Sequence, residues 1–165
     1  MRDATAEAHA ALDAAVGGFG DRESYAAYLR ANLRFRATVE PALKGVAFSP
    51  WRPRLLLDDL RRDMTDLGLP LPDPTPAPSL SGSALIGRLY VLEGAALGSQ
   101  ILRKRAQTLG FDATFGARHL SGTVANWTAF LSVLDMAEPF DADQAVVGAT
   151  LTFDLARDAF AKEPT

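Results

Sequence analysis

The sequence predicts an all-α protein, a compact bundle of about six helices, and three observations support this. Apolar residues recur at intervals of three and four over most of the chain, whereas no stretch alternates as a half-buried strand does. Glycine, proline and helix-capping residues divide the chain into about six such segments. The 165 residues, 48% of them hydrophobic, suffice for one core, so residues 1–165 are expected to form a single domain.

The first two helices have clear signals at their ends. The first is predicted over residues 3–16, and its inward stripe consists of Thr5, His9, Leu12 and Val16. The second is predicted from Arg22 to about Glu40, with Asp21 as its N-terminal cap. Pro41 either kinks this helix or begins a new turn, because proline disfavours helical backbone in the residue before it.

A third helix and a connector precede the middle of the chain. The helix is predicted to hold Pro53 in its first turn, where proline is well tolerated, and to end at Gly68. Proline then occupies every second position from Pro70 to Pro78. Residues 70–79 are therefore expected to form an extended, semi-rigid connector within the domain.

The central helix, which begins near Leu85 and ends at Gly110, is predicted to be buried because it is apolar nearly all round. Charged residues divide it into runs shorter than the ~20 residues of a membrane span. Three glycines lie on one of its faces: Gly87, Gly94 and Gly98. Each costs roughly 1 kcal/mol relative to alanine. Either they let another helix pack closely, or they let the helix bend and its backbone lie against a flat ligand.

Two more helices complete the predicted bundle. The fifth lies around Trp127 and stops near Pro139. Asp141 and Gln144 resemble a capping box at the start of the sixth. The inward stripe of the sixth helix consists of Val146, Ala149, Phe153, Ala156 and Phe160.

Composition disfavours several functional classes. The net charge of −3 and the pI of about 5.3 disfavour nucleic-acid binding. The sequence contains no cysteine, which excludes disulfides, thiolate metal sites and cysteine nucleophiles. The opening MRDATAEAHA shows no export signal, so a cytoplasmic protein that does not enter a membrane is the expectation.

Few residues offer recognisable chemistry. The common phosphate-loop, nucleophile-elbow and zinc motifs are absent from the sequence. His9 lies on an inward stripe, where its ring is either a satisfied core histidine or an iron or metal ligand. His119 follows a polar loop and is predicted to be a surface residue. Arg103, Lys104 and Arg105 suit the dipole at the end of the central helix, with a docking patch for an acidic partner as the alternative.

Two segments resemble heme oxygenases. The pattern R-x-A-T-x-x-x-H-x-x-L-D, from Arg2 to Asp13, is similar to the opening helix of that family, whose histidine is the proximal ligand of the heme iron. The stretch LYVLEGAALGSQ, from Leu89 to Gln100, is similar to the distal helix of the bacterial, biliverdin-producing branch. Weaker matches extend over nearly the whole chain.

The resemblance implies a helical bundle of the heme oxygenase type and an enzyme that degrades heme with O2 and electrons to biliverdin, carbon monoxide and iron. Heme would then be both cofactor and substrate, so no side-chain nucleophile is needed. His9 is implied as the axial iron ligand and Arg2 as a partner of a heme propionate. The other implied heme contacts are Thr5, Tyr90, Gly94 and Gly98, and the implied catalytic positions are Gly94, Gly98 and Ser99. The implied protein partners are a ferredoxin- or flavoprotein-type electron donor and a bacteriophytochrome that receives biliverdin.

The chain departs from the family pattern at two positions. Ala95 stands where many members have an acidic residue that organises water for proton delivery, although the bacterial branch tolerates a non-acidic residue there. Ser99 stands where a second glycine is common. These departures motivate a first alternative, a non-catalytic member that binds heme, another tetrapyrrole or only a protein. A second alternative is a purely structural module in which His9 belongs to the core and the glycines serve packing.

Overall fold

The computed structural model describes residues 3–161, which form six α-helices and no strand. The helices are α1 (Ala6–Val16), α2 (Arg22–Val39), α3 (Leu57–Asp66), α4 (Gly82–Thr108), α5 (Ala125–Asp135) and α6 (Ala142–Ala161). Short 3-10 turns occupy Asp3–Thr5, Glu40–Leu43 and Arg118–Leu120. The predicted all-α bundle is therefore confirmed. Within this range, none of the helices combines the length and apolar character needed to cross a membrane.

Local capping chemistry sets several of the boundaries as predicted. The carboxylate of Asp21 accepts a hydrogen bond from the Ser24 amide at 2.8 Å, and the Ser24 hydroxyl accepts from the Asp21 amide in return. At the start of α6, the Gln144 backbone amide donates to the Asp141 carboxylate at 3.0 Å, which is one half of the predicted capping box. The Asp141 amide donates instead to the Ser83 hydroxyl at 2.9 Å. Residues 70–79 have no regular secondary structure, in agreement with the predicted connector.

The third helix begins later than predicted. It starts at Leu57, and Pro53 lies in the segment before it, so the placement of Pro53 in the first helical turn is wrong. The carboxylate of Glu40 accepts hydrogen bonds from the amides of Leu56 and Leu57, at 2.8 and 2.9 Å. Because Glu40 caps α3 from a distant part of the sequence, no local pattern marks this boundary.

The first half of α4 packs most extensively against α6, and glycine permits the close contact. A Cβ atom on Gly87 would lie 1.9 Å from the carbonyl oxygen of Ala145, and one on Gly148 would lie 1.9 Å from that of Ala84. These distances are far below van der Waals contact, so the two backbones touch at the crossing. Gly87 is thus explained by helix packing.

Burial along α4 is uneven. The buried residues of its first half are Ile86, Gly87, Arg88, Leu89, Val91, Leu92 and Glu93. In its second half, Leu97 and Ile101 are 53% and 60% exposed. The prediction that the helix is buried all round is therefore wrong for the second half, which borders an open cavity.

Two buried charged residues in α4 have partners on other segments. Arg88 donates through Nε to the Thr152 hydroxyl at 3.4 Å. Glu93 accepts from the Arg54 amide at 2.9 Å and from the Asn126 side chain at 2.8 Å. Burial raises the pKa of Glu93 despite these hydrogen bonds. Glu93 thus ties the segment before α3 and the start of α5 to the central helix.

Candidate functional site

A cavity of about 740 Å³ opens between α1, α2, α4 and α6. Its walls are mostly apolar and include Leu12, Phe35, Val91 and Phe153. The helix α1 packs on α6, and none of its residues is buried, because much of its surface borders the cavity. Cavities of this size and lining are typical of small-molecule and cofactor sites.

The cavity brings together the candidate site residues that lie in the described range. Those that line it are Thr5, His9, Tyr90, Gly94, Gly98 and Ser99. Ala95 lines it as well, and Tyr90 packs edge-on against Trp127 with the ring centroids 5.3 Å apart. Arg2 lies outside the described residues. The two segments that carry the resemblance therefore border one cavity although they are far apart in sequence.

The His9 ring is accessible and held in place. Its side chain is 62% exposed, and its Nδ1 lies 3.0 Å from a carboxylate oxygen of Asp13 one helical turn later. Its edge meets the ring of Phe153 at a centroid distance of 6.0 Å. Among the described residues, its Nε2 has no hydrogen-bond partner. When Nδ1–H donates to Asp13, the lone pair is on Nε2, the state in which histidine binds a metal ion. His9 is thus not a core histidine.

The three glycines of α4 have different surroundings. Whereas Gly87 meets the α6 backbone, a Cβ on Gly94 would only touch the ring of Trp127 at 3.7 Å, and one on Gly98 would meet nothing within 4 Å. The Ser99 hydroxyl donates to the Ala96 carbonyl at 2.7 Å, so its proton is used within the helix. The packing interpretation therefore applies to Gly87, and Gly98 is open to the cavity.

A buried polar chain ends at the cavity, and sequence reasoning missed it. His119 is only 1% exposed, so its prediction as a surface residue is wrong. Its Nδ1 lies 2.8 Å from an oxygen of Asp63, and its Nε2 lies 3.3 Å from the Tyr28 hydroxyl. Tyr28 also accepts from the Asn32 amide at 3.2 Å. One signal was available: Asp63 falls on the apolar stripe of α3, where a carboxylate needs a buried partner.

Burial and hydrogen bonding set the protonation states of this chain. Burial acts to raise the pKa of Asp63, but hydrogen bonds from His119 and Arg118 outweigh it and hold that pKa below its usual value. Burial lowers the pKa of His119, although the Asp63 carboxylate opposes the shift. Burial also raises the pKa of Tyr28. Asp63 is thus ionised, His119 is neutral with Nδ1–H donating to it, and the Tyr28 hydroxyl keeps its proton and donates to Nε2.

The chain is similar to bacterial heme oxygenases, although no protein-family model matches it. It is 32% identical to heme oxygenase PigA of Pseudomonas aeruginosa over 91% of this chain and 84% of that protein. It is 33% identical to a heme oxygenase of Xanthomonas campestris pv. campestris over 72% of this chain and 76% of that protein. The fold is similar to that of the NO- and CO-bound heme oxygenase of Neisseria meningitidis, with a TM-score of 0.80 and 28% identity over 97% of this chain and 89% of the other. The chain therefore belongs to the heme oxygenase family.

Proposed function

We propose that this protein is a heme oxygenase that binds heme in the cavity between α1 and α4. Heme supplies the iron and the macrocycle for the reaction, in which O2 and electrons convert it to biliverdin, carbon monoxide and iron. The observation that carries the proposal is that an accessible histidine, His9, lines the same apolar cavity as the open glycine of α4, Gly98.

The residues around the cavity fit heme. Apolar walls suit a flat apolar ring, and His9 would hold the heme iron through Nε2. A carboxylate oxygen of Asp13 lies 3.0 Å from the other ring nitrogen, where it would orient the imidazole. Arg2 remains the predicted partner of a propionate. These features argue against a purely structural module, because such a module has no use for an open cavity lined by an accessible histidine.

We propose that the glycine face of α4 would contact the heme ring. Gly94 and Gly98 allow the helix backbone to approach the ring without a Cβ between them. Ser99 and Thr5 are polar residues of the cavity lining, and Tyr90 lines the cavity as well. Since the Ser99 hydroxyl already donates to Ala96, its oxygen is left as an acceptor toward the cavity.

The buried polar chain of Asn32, Tyr28, His119 and Asp63 supplies hydrogen-bonding groups that the Ala95 side chain lacks. Ala95 has no group that organises water, whereas Tyr28 and Asn32 place hydrogen-bonding groups on the cavity wall, and His119 holds the Tyr28 hydroxyl through Nε2. Asp63, behind His119, fixes the tautomer of the imidazole. We assign to these residues the positioning of water that carries protons into the cavity. Tyr28 orients that water rather than acting as an acid, because its raised pKa keeps the hydroxyl protonated.

The reaction consumes electrons that must come from another protein. We propose a ferredoxin- or flavoprotein-type donor, and a bacteriophytochrome as the receiver of biliverdin. The cytoplasmic location expected from the sequence stays a prediction.

A single-turnover assay tests the proposal. The hemin complex is mixed with ferredoxin, ferredoxin reductase and NADPH in air, with catalase present to remove free peroxide. We expect the Soret band to decay while biliverdin absorbance grows and carbon monoxide and iron are released in equal amounts. A hemin complex that is reduced but keeps its Soret band would contradict the proposal and favour a protein that binds heme without degrading it.

A further inference from the structure

Arg36, on α2, carries a buried guanidinium in which one nitrogen has no hydrogen-bond partner. The residue lines the cavity and is only 4% exposed. One of its terminal nitrogens donates to Glu40 at 3.2 Å and the other to the Leu92 carbonyl at 3.4 Å. Its Nε is the one buried side-chain nitrogen or oxygen in residues 3–161 without a hydrogen-bond partner. Buried donors are rarely left unpaired, so this atom points to a ligand.

The positive charge of Arg36 acts on two buried carboxylates, those of Glu40 and Glu93. Its ion-pair partner, Glu40, also accepts hydrogen bonds from the amides of Leu56 and Leu57, so its negative charge is shared with the N-terminus of α3. Burial is the main cause that lowers the pKa of His119, and Asp63 opposes it. The charge of Arg36 is a smaller cause that also lowers this pKa. The positive charge of Arg36 therefore acts on His119, a polar residue of the cavity wall.

The guanidinium belongs to the α4 side of the cavity. It is anchored to the carbonyl of Leu92, two residues before Gly94 on the same helix. His9, by contrast, lies on α1, which packs on α6. The bond to Leu92 is long at 3.4 Å, so it holds the guanidinium only weakly.

We propose that Arg36 is a positioning residue whose Nε–H holds a water molecule or a small anion beside α4 in the heme cavity. Its charge makes the bound heme favour anionic over neutral small ligands. This inference rests on the proposed function, because the ligand is held next to bound heme.

Ligand selectivity of the hemin complex tests this inference without turnover. Fluoride binding to the ferric complex and carbon monoxide binding to the reduced complex are titrated for the wild type and Arg36→Met. Fluoride is an anion that accepts strong hydrogen bonds, whereas carbon monoxide is neutral and accepts weak ones. Loss of a charge-assisted hydrogen bond should weaken fluoride binding by tenfold or more, and carbon monoxide affinity should change by less than about twofold.

Two further variants separate this role from a structural one. Arg34→Met is the matched control, because Arg34 lies on the same helix, donates to the Ala159 carbonyl at 2.9 Å and does not line the cavity. It should leave both affinities unchanged. Because Arg36→Met leaves the buried Glu40 without its cation, the double variant Arg36→Met with Glu40→Gln restores charge balance and should show the same loss of fluoride affinity. Arg36→Lys keeps the charge without Nε–H and should recover only part of it.

The outcomes are distinguishable. Equal losses of fluoride and carbon monoxide affinity, or unchanged fluoride affinity in the charge-balanced variant, would overturn the inference about Arg36 alone. Absence of a Soret band in the wild-type hemin titration would overturn the proposed function, and this inference with it.

Discussion

Alanine at Gly98 should stabilise the apoprotein and weaken its complex with hemin. Gly98 lies inside α4, and a Cβ there would meet nothing within 4 Å. Replacing an interior helix glycine by alanine gains about 0.5–1 kcal/mol when space is available. For a chain of this size, that gain should raise Tm by roughly 1–4 °C. The same methyl group would project toward the ring, and an overpacking cost of about 1–3 kcal/mol should weaken hemin binding by roughly 5- to 150-fold.

Gly87 provides the matched comparison on the same helix. A Cβ there would lie 1.9 Å from the Ala145 carbonyl oxygen and 2.8 Å from the Ala149 amide nitrogen. Both are backbone atoms and cannot rotate away. Gly87→Ala should therefore destabilise the fold, at an overpacking cost of about 1–3 kcal/mol or more that exceeds the gain in helix propensity. Its folded fraction should bind hemin normally, because Gly87 does not line the cavity.

Thermal unfolding of the apoproteins, followed by circular dichroism, and hemin titrations measure both effects. We expect opposite shifts in Tm for the two variants and a loss of hemin affinity for Gly98→Ala alone. A lower Tm for Gly98→Ala would contradict the open surroundings of that residue. Unchanged hemin affinity would refute the proposal that the ring lies against α4.

Two other predictions follow from the site. Asp13→Asn should weaken hemin binding by about 10- to 100-fold, because the carboxylate orients the His9 ring. Asp58→Asn, on the exposed face of α3, is the control. Equal hemin affinities of Asp13→Asn and Asp58→Asn in Soret titrations would contradict this role of Asp13. Burial lowers the pKa of His119 in the folded protein, so as the pH falls the unfolded chain protonates this histidine first. The contribution of neutral His119 to the free energy of unfolding is therefore complete above about pH 6.5 and is lost as the pH falls below that value. Urea unfolding at pH 7 and pH 5 should show a smaller loss for His119→Gln than for the wild type. An equal loss would mean that His119 does not titrate between the folded and unfolded states.

Sequence information was sufficient where the cause of a feature is local. The cap at Asp21 involves residues three positions apart, so the start of α2 was predictable. Helical periodicity likewise predicted the number of helices. Of the two segments that resemble the family, the described part of the first covers the turn Asp3–Thr5 and most of α1, and the second lies within α4. The fold brings both to the same cavity.

The features that the sequence did not reveal depend on contacts between distant segments. The start of α3 is capped by Glu40 from the turn after α2, so the local signal of Pro53 was misleading. The burial of His119 depends on Asp63, which lies on another helix. Periodicity also cannot tell whether an apolar helix face meets side chains or a cavity, and for this reason the exposure of Leu97 was not foreseen.

A hemin titration of the apoprotein, with wild type and His9→Ala compared, tests most directly whether this histidine is the iron ligand. We expect a saturable Soret band with one hemin per chain for the wild type. In His9→Ala the band should be shifted and the affinity reduced, and added imidazole should restore the wild-type spectrum by replacing the missing ring. A His9→Ala titration identical to that of the wild type, in both position and affinity, would contradict the assignment of His9.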